Sequence, residues 1–435
     1  EEDEDELIGL IDTEAVFTAA TLSDWGHTTA REGDIKFVFG IGKAKWAPAI
    51  LTTVREIILS NAAAFHQLFI YYSSCNGDST SNMFSLDKEA YSLMISDSEI
   101  SKDDDADIDT EERQDLDVTF VAVNKICATD EVLEEQKRAK ATGDDDGGRN
   151  ILTLNRYEMI EWMVRMGLAW YPEKSFDQAV RTFVEQNLLE GLKRKTLSKE
   201  DGWICGPLHD ANAFRRQFCY CEETCLVLQK NKETLKALYS VYAFGDGDMH
   251  CKLNKATKMA FEEFLAFLDD MHWVEEISPR RIGLIFAWSR MLTIDEYRDR
   301  AKNVQINFED FLEAIVRIAS VKALPTPADM QRFECENNAG LFLKKAVDDE
   351  FTDEFGVNYE RWIEQTEAKQ CASGATGGSM GPIWERLRSL MQVIVFKVQD
   401  GAAKTPRYPY VKLTEADVTA FRKRDKGPAQ ASDDD

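Results

Sequence analysis

The chain has 435 residues, enough for two to four domains with sizeable cores. Its 44% hydrophobic and 30% charged content marks a globular chain, and only 10 prolines and 24 glycines argue against an all-β or linker-rich design. The formal net charge of −26 repels phosphate backbones and anionic lipid, which argues against nucleic acid and membrane surfaces as partners.

Residues 1–45 read as an acidic N-terminal arm. It opens with EEDEDEL, which has neither the basic nor the apolar region of a signal peptide. Glu1 is not Met, so residue 1 is not taken as the true N-terminus. FVFGIGKAKW shares only Gly40, Gly42 and Lys43 with a phosphate loop, and no Ser or Thr follows, so it reads as a bend. From Trp46, Val54, Ile57, Ile58, Ala62, Phe65, Leu68 and Phe69 recur at three- and four-residue steps, predicting one helix to about Tyr72. SSCNGDSTSN interrupts it. A second helix carries Leu86, Tyr91 and Met94, with Ser85 or Asp87 as its cap. An acidic stretch leads to a third helix with Phe120, Val123 and Ile126, and GDDDGGRN precedes the phrase LTLNRYEMIEWMVRMG at 152–167.

Residues 173–223 read as a helical linker. Phe176, Val180, Phe183, Val184 and Leu188 share a face, and Lys193, Arg194 and Lys195 form a basic tip. From 224 the plan repeats. Leu226 to Tyr242 give an entering helix, AFGDGDMHCKLNKATK a loop and MAFEEFLAFLDDMHW an exiting helix. Ser278 before Pro279 is an N-cap and first-turn pair. Then comes VQINFEDFLEAIVRIA at 304–319, where Ile306 suits a short β contact. Residues 326–435 read as a helical extension with a flexible end. Its apolar-rich helix, Ile383 to Val398, suits docking on another surface, and Thr414 with Asp417 forms a capping box.

The two phrases align with Leu154 over Ile306, an offset of 152 residues by subtraction. Asn155 then meets Asn307, Glu161 meets Glu313, Val164 meets Val316 and Arg165 meets Arg317. The first halves also agree: LFIYY matches LYSVY, and ISDSEI matches LDDMHW with Asp97 over Asp270. The expectation is an all-α fold of two tandem pairs, 46–172 and 224–325, each with two helix–loop–helix elements.

A helix, a loop, a hydrophobic residue and an acidic–aromatic pair inside the second helix resemble the EF-hand. Glu263-Phe264 after Met259 and Asp310-Phe311 after Ile306 stand where that family places its last ligand and first core aromatic. The pairing is similar to the divergent paired hands of ciliary and axonemal EF-hand proteins and of the tubulin-polymerisation-promoting family. The resemblance covers roughly 46–325 and is closer in the helices than in the loops. Calcium takes oxygen ligands at loop positions one, three, five and twelve, with Gly at six. Counting back from Glu263 puts Lys252, Asn254 and Ala256 at one, three and five, and a lysine at the first opposes a divalent cation. Counting back from Asp310 gives Asp299, Ala301 and Asn303, while Ala90 and Glu158 are twelfth in the first pair. The expectation is hands that keep their packing without metal. If calcium binds, Asp246, Asp248 and Glu263 are the expected ligands.

Cys205, His209, Cys219, Cys221 and Cys225 are a possible zinc set, with Cys221 and Cys225 one helical turn apart. Buried structural thiols are the expected reading. Nine cysteines without a framework spacing fit a reducing compartment. No Walker loop, dinucleotide fingerprint, kinase signature or hydrolase elbow is present, so no enzyme is expected. The function expected is a non-catalytic structural or adaptor protein without cofactor, holding partner helices in metal-free grooves. The resemblance implies a cytoplasmic, microtubule-based setting such as a cilium, flagellum or axoneme, with tubulin or axonemal proteins as partners. Lys193–Lys195, Arg280-Arg281 and Arg422–Lys426 are the basic spots that face acidic tubulin in that reading. The alternative is a calcium-responsive sensor.

Overall fold

The computed structural model describes residues 11–30, 48–74, 85–100, 110–127, 153–197, 206–243, 258–296, 298–299, 304–335, 337–346, 349–373, 381–401 and 412–425. They are mainly helical, with one two-stranded sheet. They divide into two units, Glu1–Asp210 with Met291–Asn303, and Ala211–Arg290 with Val304–Asp435. The division falls inside the segment read as a linker, and part of the fourth loop belongs to the first unit.

The first unit opens with α1 (Glu14–Ala30), in what reads from sequence as an arm. Then come α2 (Pro48–Ser60) and α3 (Ala62–Ser73). The single helix expected here breaks at Asn61, where φ is −115° and ψ 16°. The Asn61 amide donates to the Ile57 carbonyl at 2.9 Å, a side-chain bond that competes with helix propagation. The chain continues with α4 (Lys88–Ser98), α5 (Thr110–Cys127) and α6 (Arg156–Trp170). Asp87 caps α4 by accepting from the Ala90 N–H at 2.8 Å. Leu86 and Leu154, both fully buried, exchange two backbone hydrogen bonds at 2.8 Å, so the two segments run antiparallel just before α4 and α6.

The predicted linker forms α7 (Phe176–Arg181), a π-helical turn (Thr182–Leu188) and α8 (Leu189–Leu197). This part of the linker, 176–197, is a layer of the first unit rather than a tether. Phe183 in the π turn meets Trp162 and Trp170 of α6 edge-on, at 5.7 and 5.5 Å between centroids. A Cβ on Gly191 would lie 1.7 Å from the Ser98 carbonyl oxygen, so α8 crosses the end of α4 with backbones nearly touching. α1 packs on α2, α3 and α6.

The second unit starts with a short α9 (Ala211–Phe214) and a π turn (Arg215–Cys219), then α10 (Glu222–Lys230) and α11 (Lys232–Tyr242). This entering helix also breaks at an asparagine. Asn231 donates to the Val227 carbonyl at 2.8 Å, as Asn61 does to Ile57. β1 (Met259–Ala260) leads into α12 (Phe261–Asp270), α13 (Pro279–Ser289) follows, and β2 (Gln305–Ile306) leads into α14 (Phe308–Val321). Met259 pairs with Ile306 and Ala260 with Gln305, antiparallel. Ile306 thus makes the expected β contact, and Phe311, Ile315 and Ile318 are fully buried on one face of α14.

α15 (Pro327–Arg332), α16 (Ala339–Lys345), α17 (Asp349–Phe355) and α18 (Tyr359–Ser373) gather Phe333, Phe342, Phe351, Phe355 and Trp362 into an aromatic cluster. α19 (Ile383–Gly401) is the helix expected to dock elsewhere. It packs inside its own unit, against α10, α14, α16 and α20 (Glu415–Asp425). Leu387, Leu390, Ile394 and Val398 are its fully buried stripe. The Gln392 side-chain oxygen accepts from the Ala339 N–H at 2.9 Å, and Arg386 donates to the Ser320 backbone carbonyl. The expected box at Thr414 forms, with the Asp417 carboxylate accepting from the Thr414 N–H at 3.0 Å.

Candidate functional site

The four segments that lead into α4, α6, α12 and α14 share one plan. A buried bridge residue comes first, then the N-cap, then three residues on the position counted as twelfth in a metal loop. In three of the four that residue is acidic. Glu158 accepts from the Asn155 N–H at 2.7 Å, Glu263 from the Ala260 N–H at 2.8 Å, and Asp310 from the Asn307 N–H at 3.0 Å. Each carboxylate therefore closes a helix N-terminus, a bond worth about 1 kcal/mol. Burial raises the Asp310 pKa against this bond. Glu263 is thus located, while Asp246 and Asp248 lie outside the described residues.

The matched residues of the two phrases make matched contacts. Glu161 pairs with Arg165 at 2.7 Å in α6, and Glu313 with Arg317 at 2.7 Å in α14, both at i,i+4. The Tyr72 hydroxyl donates to Asp97 at 3.0 Å, and the Tyr242 hydroxyl to Asp270 at 2.6 Å. A cation from a later helix joins each aspartate: Lys195 of α8 at 3.7 Å from Asp97, and Arg422 of α20 at 3.9 Å from Asp270. The basic tip is therefore engaged within the chain. Lys193 meets Glu190 at 3.6 Å and Arg194 meets Glu99 at 3.1 Å. Arg281 likewise meets Glu367 at 3.4 Å.

The segment from the fourth loop is held by a buried cation of the first unit. Arg156, at the first position of α6, is 2% exposed. Its guanidinium donates to Asp24 at 3.1 Å, to the Thr293 and Ile294 carbonyls at 3.3 and 3.1 Å, and meets Glu296 at 3.1 Å. Nearby, His27 contacts Asp295 at 3.0 Å and Asp12 accepts from the Leu292 N–H at 2.8 Å. Burial pushes the Asp24 carboxyl up to about 7 against the pull of Arg156. Burial and the same guanidinium hold His66, which contacts Thr21 at 3.1 Å, well below the usual imidazole range. In the second unit, Arg215 donates to Glu313 at 2.9 Å and to the Trp288 and Arg290 carbonyls at 2.8 and 2.6 Å, closing the end of α13. Sequence reasoning missed both arginines. The only local signal is that Arg156 directly follows a cap in a phrase whose partner has Phe308 there.

No family model, curated protein or solved structure matches the chain. Cys205 lies outside the described residues, Cys219 is buried with its thiol pushed up by burial, and Cys225 is exposed. Among the described residues no group of three or more His, Cys, Asp or Glu is placed to hold a metal ion. No described helix is long and apolar enough to cross a membrane.

Proposed function

We propose that the chain is a non-catalytic structural or adaptor protein, built on two tandem pairs of EF-hand-like elements that hold their shape without metal. The observation that carries this reading is the oxygen cage around Arg156. Two carboxylates and two carbonyls converge on one guanidinium, the kind of oxygen set a loop otherwise offers a divalent cation. The side chain is part of the fold, so the segment needs no dissolved ion. The carboxylates of Glu158, Glu263 and Asp310, bonded to their own caps, support the same reading.

The resemblance extends the proposal to a microtubule-based assembly of a cilium or axoneme. Basic side chains engaged with the chain's own carboxylates favour contact through another protein over direct contact with tubulin. A tagged chain expressed in ciliated cells should stay with detergent-extracted axonemes, and its complete release into the soluble fraction would overturn this part. The alternative, a calcium-responsive sensor, rests on the GDGD of 245–248. Calorimetric titration of the full chain with calcium separates the two. The expected result is no micromolar binding. Binding that is lost in Asp246→Ala with Asp248→Ala would establish the sensor instead.

A further inference from the structure

A cleft of about 770 Å³ lies in the second unit, between α10 and α19 with the start of α16 at one side. Leu226 and Lys230 line it from α10, one turn apart. Trp384, Arg388, Met391 and Val395 line it from α19 at steps of four, three and four. The cleft therefore follows two helices, and the α19 stripe alone runs about 16 Å, three helical turns. Leu226 is 56% exposed, one of four large apolar side chains left open among the described residues. Its methyl groups, with the half-buried Trp384 in the same lining, are apolar surface turned to solvent at a concave site.

The charge of the cleft is opposite to that of the molecule. The chain carries −26, yet Lys230 and Arg388 flank this groove against one acid, Glu223. Among the described residues neither cation has an ion pair. Arg388 lies 5.0 Å over the Trp384 ring instead, which keeps its guanidinium beside the apolar floor. Asn231, Asn338 and Gln392 add polar groups to the lining. We propose that this groove docks an acidic amphipathic helix of a partner protein. Apolar anchors at i, i+4 and i+7 would lie along Leu226 and the half-buried Trp384, over a floor formed by the buried Met391 and Val395, and flanking Glu or Asp would face Lys230 and Arg388. This names the partner chemistry of the adaptor reading and rests on it.

Fluorescence anisotropy with the full chain tests it, using labelled helical peptides that carry Leu at the anchor positions and either Glu or Lys at the flanks. The expected result is binding of the Glu-flanked peptide, weakened at least about tenfold by Leu226→Glu. The double variant Lys230→Glu with Arg388→Glu should reverse the preference towards the Lys-flanked peptide. That gain of binding also shows that the variant is folded. Equal binding of both peptides, no binding of the Glu-flanked peptide, or concentration-dependent dimerisation abolished by Leu226→Glu would overturn the proposal. Calcium binding in the calorimetric titration would sink the metal-free reading and leave the peptide result standing, so the two failures are distinguishable.

Discussion

Arg156 joins α1, α6 and the 293–296 stretch of the first unit through one buried guanidinium. Replacing it with Met leaves the Asp24 and Glu296 carboxylates facing each other without their shared cation, at a cost of about 3–5 kcal/mol. Lys should fail to restore stability, because one ammonium lacks the planar fork that reaches four oxygens. Urea denaturation of Arg156→Met and Arg156→Lys checks both statements; wild-type midpoints would contradict them. His66 makes the first unit pH-sensitive. Its folded pKa is depressed by burial and by Arg156, so only the unfolded chain takes up the proton as pH falls below about 6.5. The stability it contributes is present above that pH and lost below it. Asp24 works in the opposite sense, since its raised folded pKa favours the folded state as pH falls from about 7 towards 4. The difference between wild type and His66→Phe isolates the histidine. The wild type should lose ground on the variant as pH falls through the histidine range. Parallel curves would show that His66 does not titrate in this way. Neither effect was legible from sequence: Asp24 and Arg156 lie 132 residues apart, and an arginine in a first helical turn reads as a solvated side chain.

At the scale of elements, the repeat was legible because its signals are local. Caps, apolar register and the i,i+4 pairs are written within one helix, and Asn155 and Asn307 begin their helices as the alignment implies. The breaks at Asn61 and Asn231 were missed because the apolar period runs on across them. The side-chain amide bond four residues back marks each break, and pattern counting does not see it. The role of α19 was half legible. A long apolar stripe announces burial but not against which surface. The close crossing of α8 over α4 gives a sharp expectation. Gly191→Ala pushes a methyl group into the Ser98 carbonyl and should cost about 1–3 kcal/mol. An unchanged melting temperature would mean that the helices separate without penalty. The matched tyrosines offer a second check. Tyr72→Phe and Tyr242→Phe each remove one hydrogen bond to a carboxylate and should cost about 1–3 kcal/mol each in thermal or denaturant unfolding. A loss in only one of them would break the correspondence between the pairs.

At the scale of the whole molecule, each unit packs later helices over those that carry its copy of the repeated phrase. α7 and α8 do this in the first unit, and α19 and α20 in the second. Lys195 and Arg422 bring corresponding charges to Asp97 and Asp270 from those covers. Each unit holds one copy of the repeated phrase, 152–167 in the first and 304–319 in the second. The allotment of Met291–Asn303 to the first unit was not legible in the sequence, because no local pattern records a contact between distant stretches of chain. In the proposed reading the cation of this scaffold is an arginine rather than a dissolved ion. Scanning calorimetry of the full chain in millimolar calcium and in chelator tests that most directly. The two melting curves should coincide. A transition raised by several degrees in calcium, and returned by chelator, would show an ion bound to the folded state and contradict the account.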